Sequence, residues 1–245
     1  MPGTDIRVFC IPPYAAPAFT SFSIQGQPTL IEVGTPLSGN KTFLWNISNA
    51  PNVQPNTNAI RDVTNNVVLA SGLANTGSSV QNIGVIPNTT PMSHSWRGEA
   101  VDTQATLFQS GNFTVSSIYP YFYGKVASGG APPGVNRPLA NQALINSGTA
   151  VLASSAGTIT INFNTSSDDY FWFAVPASMP LKTTWFVNII NQGAIGGPVS
   201  VSGNLFPTPN LVSINSPSAL WSGVNYNIYI TNYQSGIILP MNLNN

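Results

Sequence analysis

The sequence predicts an all-β protein, and three observations support this fold class. Short segments in which apolar and polar residues alternate with a period of two recur along the chain. Turn formers are frequent, with Gly 21 and Pro 21 accompanied by abundant Asn and Ser. The helix formers Glu, Lys and Arg are scarce, whereas aromatic and β-branched residues are plentiful, which favours folded strands over disorder.

The first 17 residues differ in composition from the rest. Residues 1–17 are proline-rich and predict an extended N-terminal arm that docks elsewhere. The apolar run Val8 to Ile11 is short and is followed at once by Pro12-Pro13, which is unlike a signal peptide. A single cysteine, Cys10, excludes an internal disulfide framework. Because no window approaches the ~18 apolar residues that span a bilayer, we expect synthesis in a cytoplasm without export by the general secretory route.

Residues 18–117 predict an immunoglobulin-like β-sandwich that lacks the disulfide. About seven or eight short strands fit this span, with a tryptophan on an early and on a late strand. Paired Asn65-Asn66 predicts a hairpin turn, because asparagine tolerates positive φ. In "HSWRGEAVD", Trp96 would point inward while Arg97 and Glu99 face solvent. The predicted strands are "FTSFSI" (19–24), "KTFLWNI" (41–47), "AIRDV" with "VVLA", "VQNIGVI" (80–86), "HSWRGEAVD" (94–102) and "TLFQSGNFTV" (106–115).

Residues 118–245 predict a second β-sandwich, which would be the assembly or host-contact domain. An aromatic strand runs into a Gly/Pro-rich loop at the boundary. Further strands are predicted in "TITINFN" (158–164), "TTWFVNIINQ" (183–192) and "NYNIYITNY" (225–233).

The stretch "DDYFWFAVP" is the most unusual of the second half. Tyr170 and Trp172 would face one way and Phe171 and Phe173 the other, and Pro176 should end the strand. Apolar residues on both faces predict packing on both faces, either core plus an interface or core plus a loop. The candidates for an interface or a ligand surface are Tyr170, Trp172, Trp221 and Tyr229.

Asp168 and Asp169 are the best, though weak, candidates for metal ligands. Ser166, Ser167 and Asn164 add oxygen atoms that bind metal weakly. The alternative is a turn in which these side chains hydrogen-bond to backbone N–H groups. The glycines of "GGAPPG" (129–134) lack the Gly-Lys-Ser/Thr ending of a phosphate loop, and no cofactor is expected.

Catalysis is not expected either. His94 is the single histidine, and its sequence neighbours Ser93 and Ser95 would point to the opposite face of the strand. No motif for an activated serine surrounds any Ser. A glycosidase needs two carboxylates across a cleft, and nothing in the sequence singles out a pair from the seven acids, of which only Glu32 and Glu99 are glutamates.

Charge is nearly absent from the chain. Charged residues make up 6%, against roughly 25% in ordinary domains, the net charge is zero, and residues 183–245 contain none. Without a basic patch there is no electrostatic basis for nucleic-acid binding. The low charge also removes repulsion between copies, which favours a protein covered by its neighbours in an assembly, although extracellular adhesins share this composition.

Several phrases resemble a recurrent module in virion proteins of tailed bacteriophages of Bacteroidota-type hosts, including crAss-like phages. They are "IEVGTPLSGNKTFLWNISNAPNVQPN", "DVTNNVVLASGLANTGSS" and "FTVSSIYPYFYGKVAS", followed by "DDYFWFAVP", "WFVNIINQGAIGG" and "GVNYNIYITNYQSG". The resemblance covers residues 19–237. It implies a non-enzymatic fibre, spike or decoration protein of a capsid or tail, located in the virion and made in the host cytoplasm. Its partners would be further copies (a trimer among the options), other capsid or tail proteins and a host-surface glycan.

Two other functions stay open at this point. An extracellular adhesin or carbohydrate-binding module would stack sugar rings on Trp172, Tyr170 or Trp221. A hydrolase of depolymerase type would use scattered Asp and Glu residues.

Overall fold

The computed structural model describes residues 14–127, 138–152, 159–162, 169–179, 186–187, 199–200, 209–230 and 240–243. Apart from one short α-helix and one 3₁₀ turn (Ala50–Asn52), the regular elements of this part are all β-strands, which confirms the predicted all-β sandwich class. No helix among them is long and apolar enough to cross a membrane.

The elements are as follows in chain order. The first half contains β1 (Ala18–Ile24), β2 (Leu30–Glu32), β3 (Leu37–Ser48), β4 (Ala59–Asp62), β5 (Val67–Ser71), β6 (Thr76–Ile86), β7 (Met92–Val101), β8 (Leu107–Gln109) and β9 (Phe113–Ile118). The second half contains β10 (Tyr121–Ala127), α1 (Gln142–Asn146), β11 (Thr149–Val151), β12 (Ile159–Asn162), β13 (Asp169–Pro176), β14 (Phe186–Val187), β15 (Val199–Ser200), β16 (Asn210–Ile214), β17 (Val224–Ile230) and β18 (Pro240–Leu243).

The described residues form two compact units. The first unit contains the described residues up to Thr29, together with Pro36–Pro87 and Ser93–Val115. The second unit contains Leu30–Thr35, Asn88–Met92 and the described residues from Ser116 onward. Two short segments of the first half of the chain therefore fold with the second half.

Two sheets build the first unit. One has the antiparallel order β1-β3-β6, and the other joins β9, β7, β4 and β5 in that order, with β8 beside β7. Phe43 of β3 and Trp96 of β7 are both fully buried, with ring centroids 6.3 Å apart. Phe19 of β1 lies 5.6 Å from Phe108 of β8. These contacts join the inner faces of the two sheets into one core.

Two local features of the first unit differ in how well the sequence predicted them. The hairpin between β4 and β5 turns where it was expected, with Asn66 at φ 55°. The predicted strand 106–115 is instead two strands, β8 and β9. Between them Ser110 donates its backbone N–H to the Gly98 carbonyl and accepts the Gly98 N–H on its hydroxyl, at 3.0 and 2.9 Å. Because the serine side chain takes a place in the hydrogen bonding to the neighbouring strand, the predicted strand is interrupted here.

The arm packs on the first unit where it is described. The Tyr14 hydroxyl donates to the Asp102 carboxylate at 2.5 Å. The Asn52 side-chain amide donates to the Ala15 carbonyl at 2.7 Å. Residues 1–13, which include Cys10, lie outside the described part.

The second unit contains two antiparallel sheets, β11-β10-β13-β17-β16 and β12-β18-β14-β15. In the first of these, β13 is the central strand and pairs with β10 and β17. It ends at Pro176, as predicted, because proline cannot donate to a central ladder. The segment Leu30–Thr35 joins this unit, since β2 pairs in parallel with Ser116 to Ile118 of β9.

Candidate functional site

Strand β13 is buried on both faces. On one face Tyr170, Trp172 and Ala174 belong to the core cluster and are 0% exposed. On the other face Phe171 is 6% and Phe173 1% exposed. The predicted double burial is therefore present, and the chain itself supplies it on both faces. On β13 itself, Phe171 and Phe173 leave almost no apolar surface exposed for a partner.

The other two aromatic candidates are also buried. Trp221 is 8% exposed; its indole stacks on Tyr226 at 5.7 Å, and Tyr119 meets it edge-on at 5.3 Å. Tyr229 is 2% exposed and stacks on Phe173 at 4.6 Å. Sugar stacking requires an open ring face. In this structure the rings of Tyr170, Trp172, Trp221 and Tyr229 present none.

The acidic pair falls mostly outside the described residues. Asp168 and the oxygen ligands proposed beside it, Asn164, Ser166 and Ser167, lie outside them. The backbone of Asp169 opens β13 opposite Ala127. In the part of the chain that is described, no three His, Cys, Asp or Glu side chains come together as a metal site would require.

His94 forms a buried pair with Asp62 that sequence reasoning did not predict. Its Nε2 lies 2.9 Å from Asp62 Oδ2, and both side chains are 4% exposed. Asp62 also accepts the backbone N–H and the side-chain amide of Asn65 at 2.9 and 3.1 Å. Asp62 therefore links His94 of β7 to the turn that follows β4. The hydroxyl of Ser95, the residue after His94, lies 2.7 Å from the hydroxyl of Thr114.

A second cluster in the first unit contains Arg61, Arg97 and Glu99. Trp96 is fully buried, as predicted, and Arg97 is on the opposite face of the strand with its side chain 26% exposed. Glu99 shares that face but is only 7% exposed, because both guanidiniums and the Gln109 amide cover it. The prediction that Glu99 faces solvent is therefore wrong.

Ionisation of Glu99 is favoured by these neighbours. Burial alone would raise the pKa of Glu99, but hydrogen bonds and positive charge from Arg61 and Arg97 outweigh it and lower the pKa below its ordinary value. Arg61 Nε donates at 2.7 Å and Arg97 Nε at 2.8 Å. The carboxylate is thus fixed between two cations.

Glu32 forms a third polar cluster, within the second unit. Its Oε1 accepts the Ser216 hydroxyl at 2.9 Å and the Trp221 indole N–H at 2.8 Å. The Ser218 hydroxyl lies 3.2 Å from Oε2. These donors lie 184 to 189 positions after Glu32 in the sequence, and they hold the loop before β17 against β2. Both glutamates of the chain, Glu32 and Glu99, therefore accept hydrogen bonds from donors of their own unit.

Comparison with known proteins identifies no family for the chain. No protein-family model matches the sequence. No curated protein matches it either. Among solved structures, an α-L-rhamnosidase of Streptomyces avermitilis, crystallised with L-rhamnose, overlaps 93% of this chain at 10% identity and a TM-score of 0.30. The chain spans 23% of that protein's length. A similarity at this TM-score supports no statement about the activity of the present chain.

Proposed function

We propose that this chain is a non-enzymatic structural protein of a bacteriophage virion, a β-rich fibre, spike or decoration protein that associates with other copies of itself. The observation that carries the proposal is the edge strand β6, whose outer edge pairs with no other described strand. The proposal also draws on the phage-like phrases of the sequence and on its near absence of charge. It places the protein in the virion after synthesis in the host cytoplasm, with capsid or tail proteins and a host-surface glycan as further partners.

Strand β6 has the properties of an association edge. It is 11 residues long and lies at the end of the sheet β1-β3-β6, with β3 as its strand partner. Its sequence, "TGSSVQNIGVI", contains no charged residue and no proline. Val80 is 59% and Val85 84% exposed. Monomeric proteins protect such an edge with lysine, proline, a β-bulge or a covering segment. Of these, β6 has one bulge, between the register partners Asn82 and Val85, and the edge from Thr76 to Asn82 is regular.

A second copy of the chain is the occupant that fits this edge best. Antiparallel pairing of β6 with β6 of a second copy would satisfy its outward backbone groups through a self-complementary interface. Zero net charge removes the repulsion that would oppose this approach. Side chains of the added strand would also cover part of the exposed valine surface, at roughly 25 cal/mol per Å² of apolar surface.

The edge can be tested with charge substitutions. Light scattering of the isolated chain should give an oligomer whose mass falls towards the monomer at low concentration, and Val80→Lys or Val85→Lys should shift it to monomer. Leu139→Lys is the matched control, because Leu139 is 77% exposed but lies outside every strand. If Leu139→Lys dissociates the oligomer equally, the assignment to β6 is wrong.

The virion assignment has its own test. Mass spectrometry of purified particles of the phage that encodes the chain should detect many copies of the chain per particle. Absence from the particles, together with a monodisperse monomer in solution, would refute the proposal. The carbohydrate-binding alternative is not proposed, because its stacking rings Tyr170, Trp172 and Trp221 are buried.

A further inference from the structure

Two arginines lie side by side on the outer face of the first unit. Arg61 of β4 and Arg97 of β7 are direct partners in the antiparallel register. Like charges placed directly opposite each other destabilise a sheet. The pair is held together because Glu99, two residues along β7 on the same face, accepts from Arg61 Nε at 2.7 Å and from Arg97 Nε at 2.8 Å.

The bridge leaves one positive charge uncompensated. Glu99 supplies one negative charge against two guanidiniums. The other described carboxylates of this unit are occupied elsewhere: Asp62 pairs with His94, and Asp102 accepts the hydroxyl of Tyr14. The cluster therefore carries a net positive charge on a surface that is otherwise nearly uncharged.

Both guanidiniums keep hydrogen-bond donors that the described residues do not use. A guanidinium has five N–H groups in a rigid fork. Arg61 directs Nε at Glu99 and Nη1 at the Asn66 amide oxygen, 3.1 Å away. Arg97 directs Nε and Nη2 at the same Glu99 oxygen. The remaining N–H groups have no acceptor in the described part of the chain, and each side chain is 26% exposed.

We propose that Arg61 and Arg97 form a binding site for an oxyanion, the carboxylate or sulfate group of a small acidic ligand such as an acidic sugar. Planar, always charged guanidiniums match the two oxygens of such a group. Glu99 holds both side chains in place beforehand, so that little side-chain entropy is lost on binding. The inference is independent of the proposed function, since it concerns a sheet face and not the β6 edge.

The site can be tested by titrating the full chain with sodium glucuronate, sodium sulfate and neutral glucose at constant ionic strength. Arginine Nε–H signals in nitrogen-15 NMR report directly on the two side chains. We expect saturable shifts of the Arg61 and Arg97 signals with glucuronate, sulfate or both, and none with glucose. The two anions distinguish a carboxylate site from a sulfate site.

Substitutions distinguish anion binding at Arg61 and Arg97 from general electrostatic attraction of anions to the chain. Arg97→Gln should weaken anion binding at least about 10-fold, which corresponds to the loss of a charged hydrogen bond. Arg97→Lys should also weaken it, because lysine keeps the charge but loses the fork. Lys41→Gln removes the same charge from β3 of the same unit, where Lys41 bonds to Gln27 at 2.9 Å, and should change the affinity by less than about twofold.

Two outcomes would overturn the inference. One is that wild-type chain shows no saturable shift of either arginine signal with either anion, a result that depends on no variant folding. The other is that Lys41→Gln weakens binding as much as Arg97→Gln. In either case the cluster would serve only to stabilise the sheet.

Discussion

Gly124 and Gly148 lie against the Trp172 indole, and replacing either glycine with alanine should destabilise the second unit. Trp172 is fully buried on the central strand β13. A Cβ added to Gly124 would lie 2.8 Å from Trp172 Cζ2 and 2.9 Å from Cε2. Carbon atoms in ordinary contact are about 3.5–4.0 Å apart. Gly124→Ala must therefore displace either the indole or strand β10.

The expected cost is about 1–3 kcal/mol, the usual range for overpacking a core. Gly148→Ala should cost more than Gly124→Ala. Its Cβ would meet Trp172 Cζ2 at 2.7 Å and also the backbone oxygen of Tyr123 at 2.9 Å, and a backbone atom cannot rotate away. The Trp172 Nε1 has no hydrogen-bond partner among the described residues, so displacement of the ring breaks no such bond and the cost is steric.

Urea unfolding of the full chain, followed by circular dichroism, gives the free-energy differences. A double-mutant cycle with Trp172→Phe provides the decisive comparison. Phenylalanine lacks the Cζ2 and Cη2 atoms, so Gly124→Ala should cost less in that background, with a coupling energy of about 0.5–3 kcal/mol. Gly111→Ala is the control, because nothing lies within 4 Å of its added Cβ. It should stay within about 0.5 kcal/mol of wild type.

The steric reasoning is refuted if Gly124→Ala costs the same with phenylalanine as with tryptophan at position 172. It is also refuted if Gly124→Ala and Gly111→Ala have equal effects.

Three further predictions follow from the polar contacts. The hydrogen bond to Asp102, then burial and the negative charge of Asp102, raise the pKa of Tyr14 to about 12; NMR titration should show it returning towards about 10 in Asp102→Asn, and an unchanged titration would contradict the contact. The lowered pKa of Glu99 means that its stabilising effect is present above the ordinary glutamate pKa of about 4.3 and is lost as pH falls through the lower folded value. Unfolding of wild type and Glu99→Gln should therefore differ at neutral pH and converge in acid, and a pH-independent difference would disprove this. Glu32→Ala leaves the Trp221 N–H without its acceptor and should cost about 1–3 kcal/mol by urea unfolding, whereas Glu32→Gln, which keeps an oxygen there, should cost less; equal costs would show that the bond to Trp221 is unimportant.

Local features were predictable because their causes are local. Alternation along "YFWFAV" predicted that both faces of β13 are buried, and the structure has both at 6% exposure or less. Asn66 turns a hairpin at positive φ because its short polar side chain tolerates that conformation. Pro176 ends a central strand because it has no N–H to donate.

The candidate clusters were not predictable in the same way. His94 is bonded to Asp62, 32 positions earlier, and Glu32 to Trp221, 189 positions later. Nothing in the local pattern marks either partner. Arg97 and Glu99 were expected on one polar face, but only the neighbouring strand brings Arg61 over Glu99 and buries its carboxylate.

Composition and local pattern are enough to specify the all-β class, the period of the strands, the turn at Asn66 and the near absence of charge, since each depends on residues a few positions apart or on composition alone. Which segments fold together is seen only in the folded chain, where Leu30–Thr35 and Asn88–Met92 join the second unit. The fold also buries Phe171 and Phe173 on the second face of β13 and brings Arg61 and Arg97 to one carboxylate. Strand pairing joins residues at any separation in sequence, so these contacts depend on sheet order and register, which no local pattern specifies.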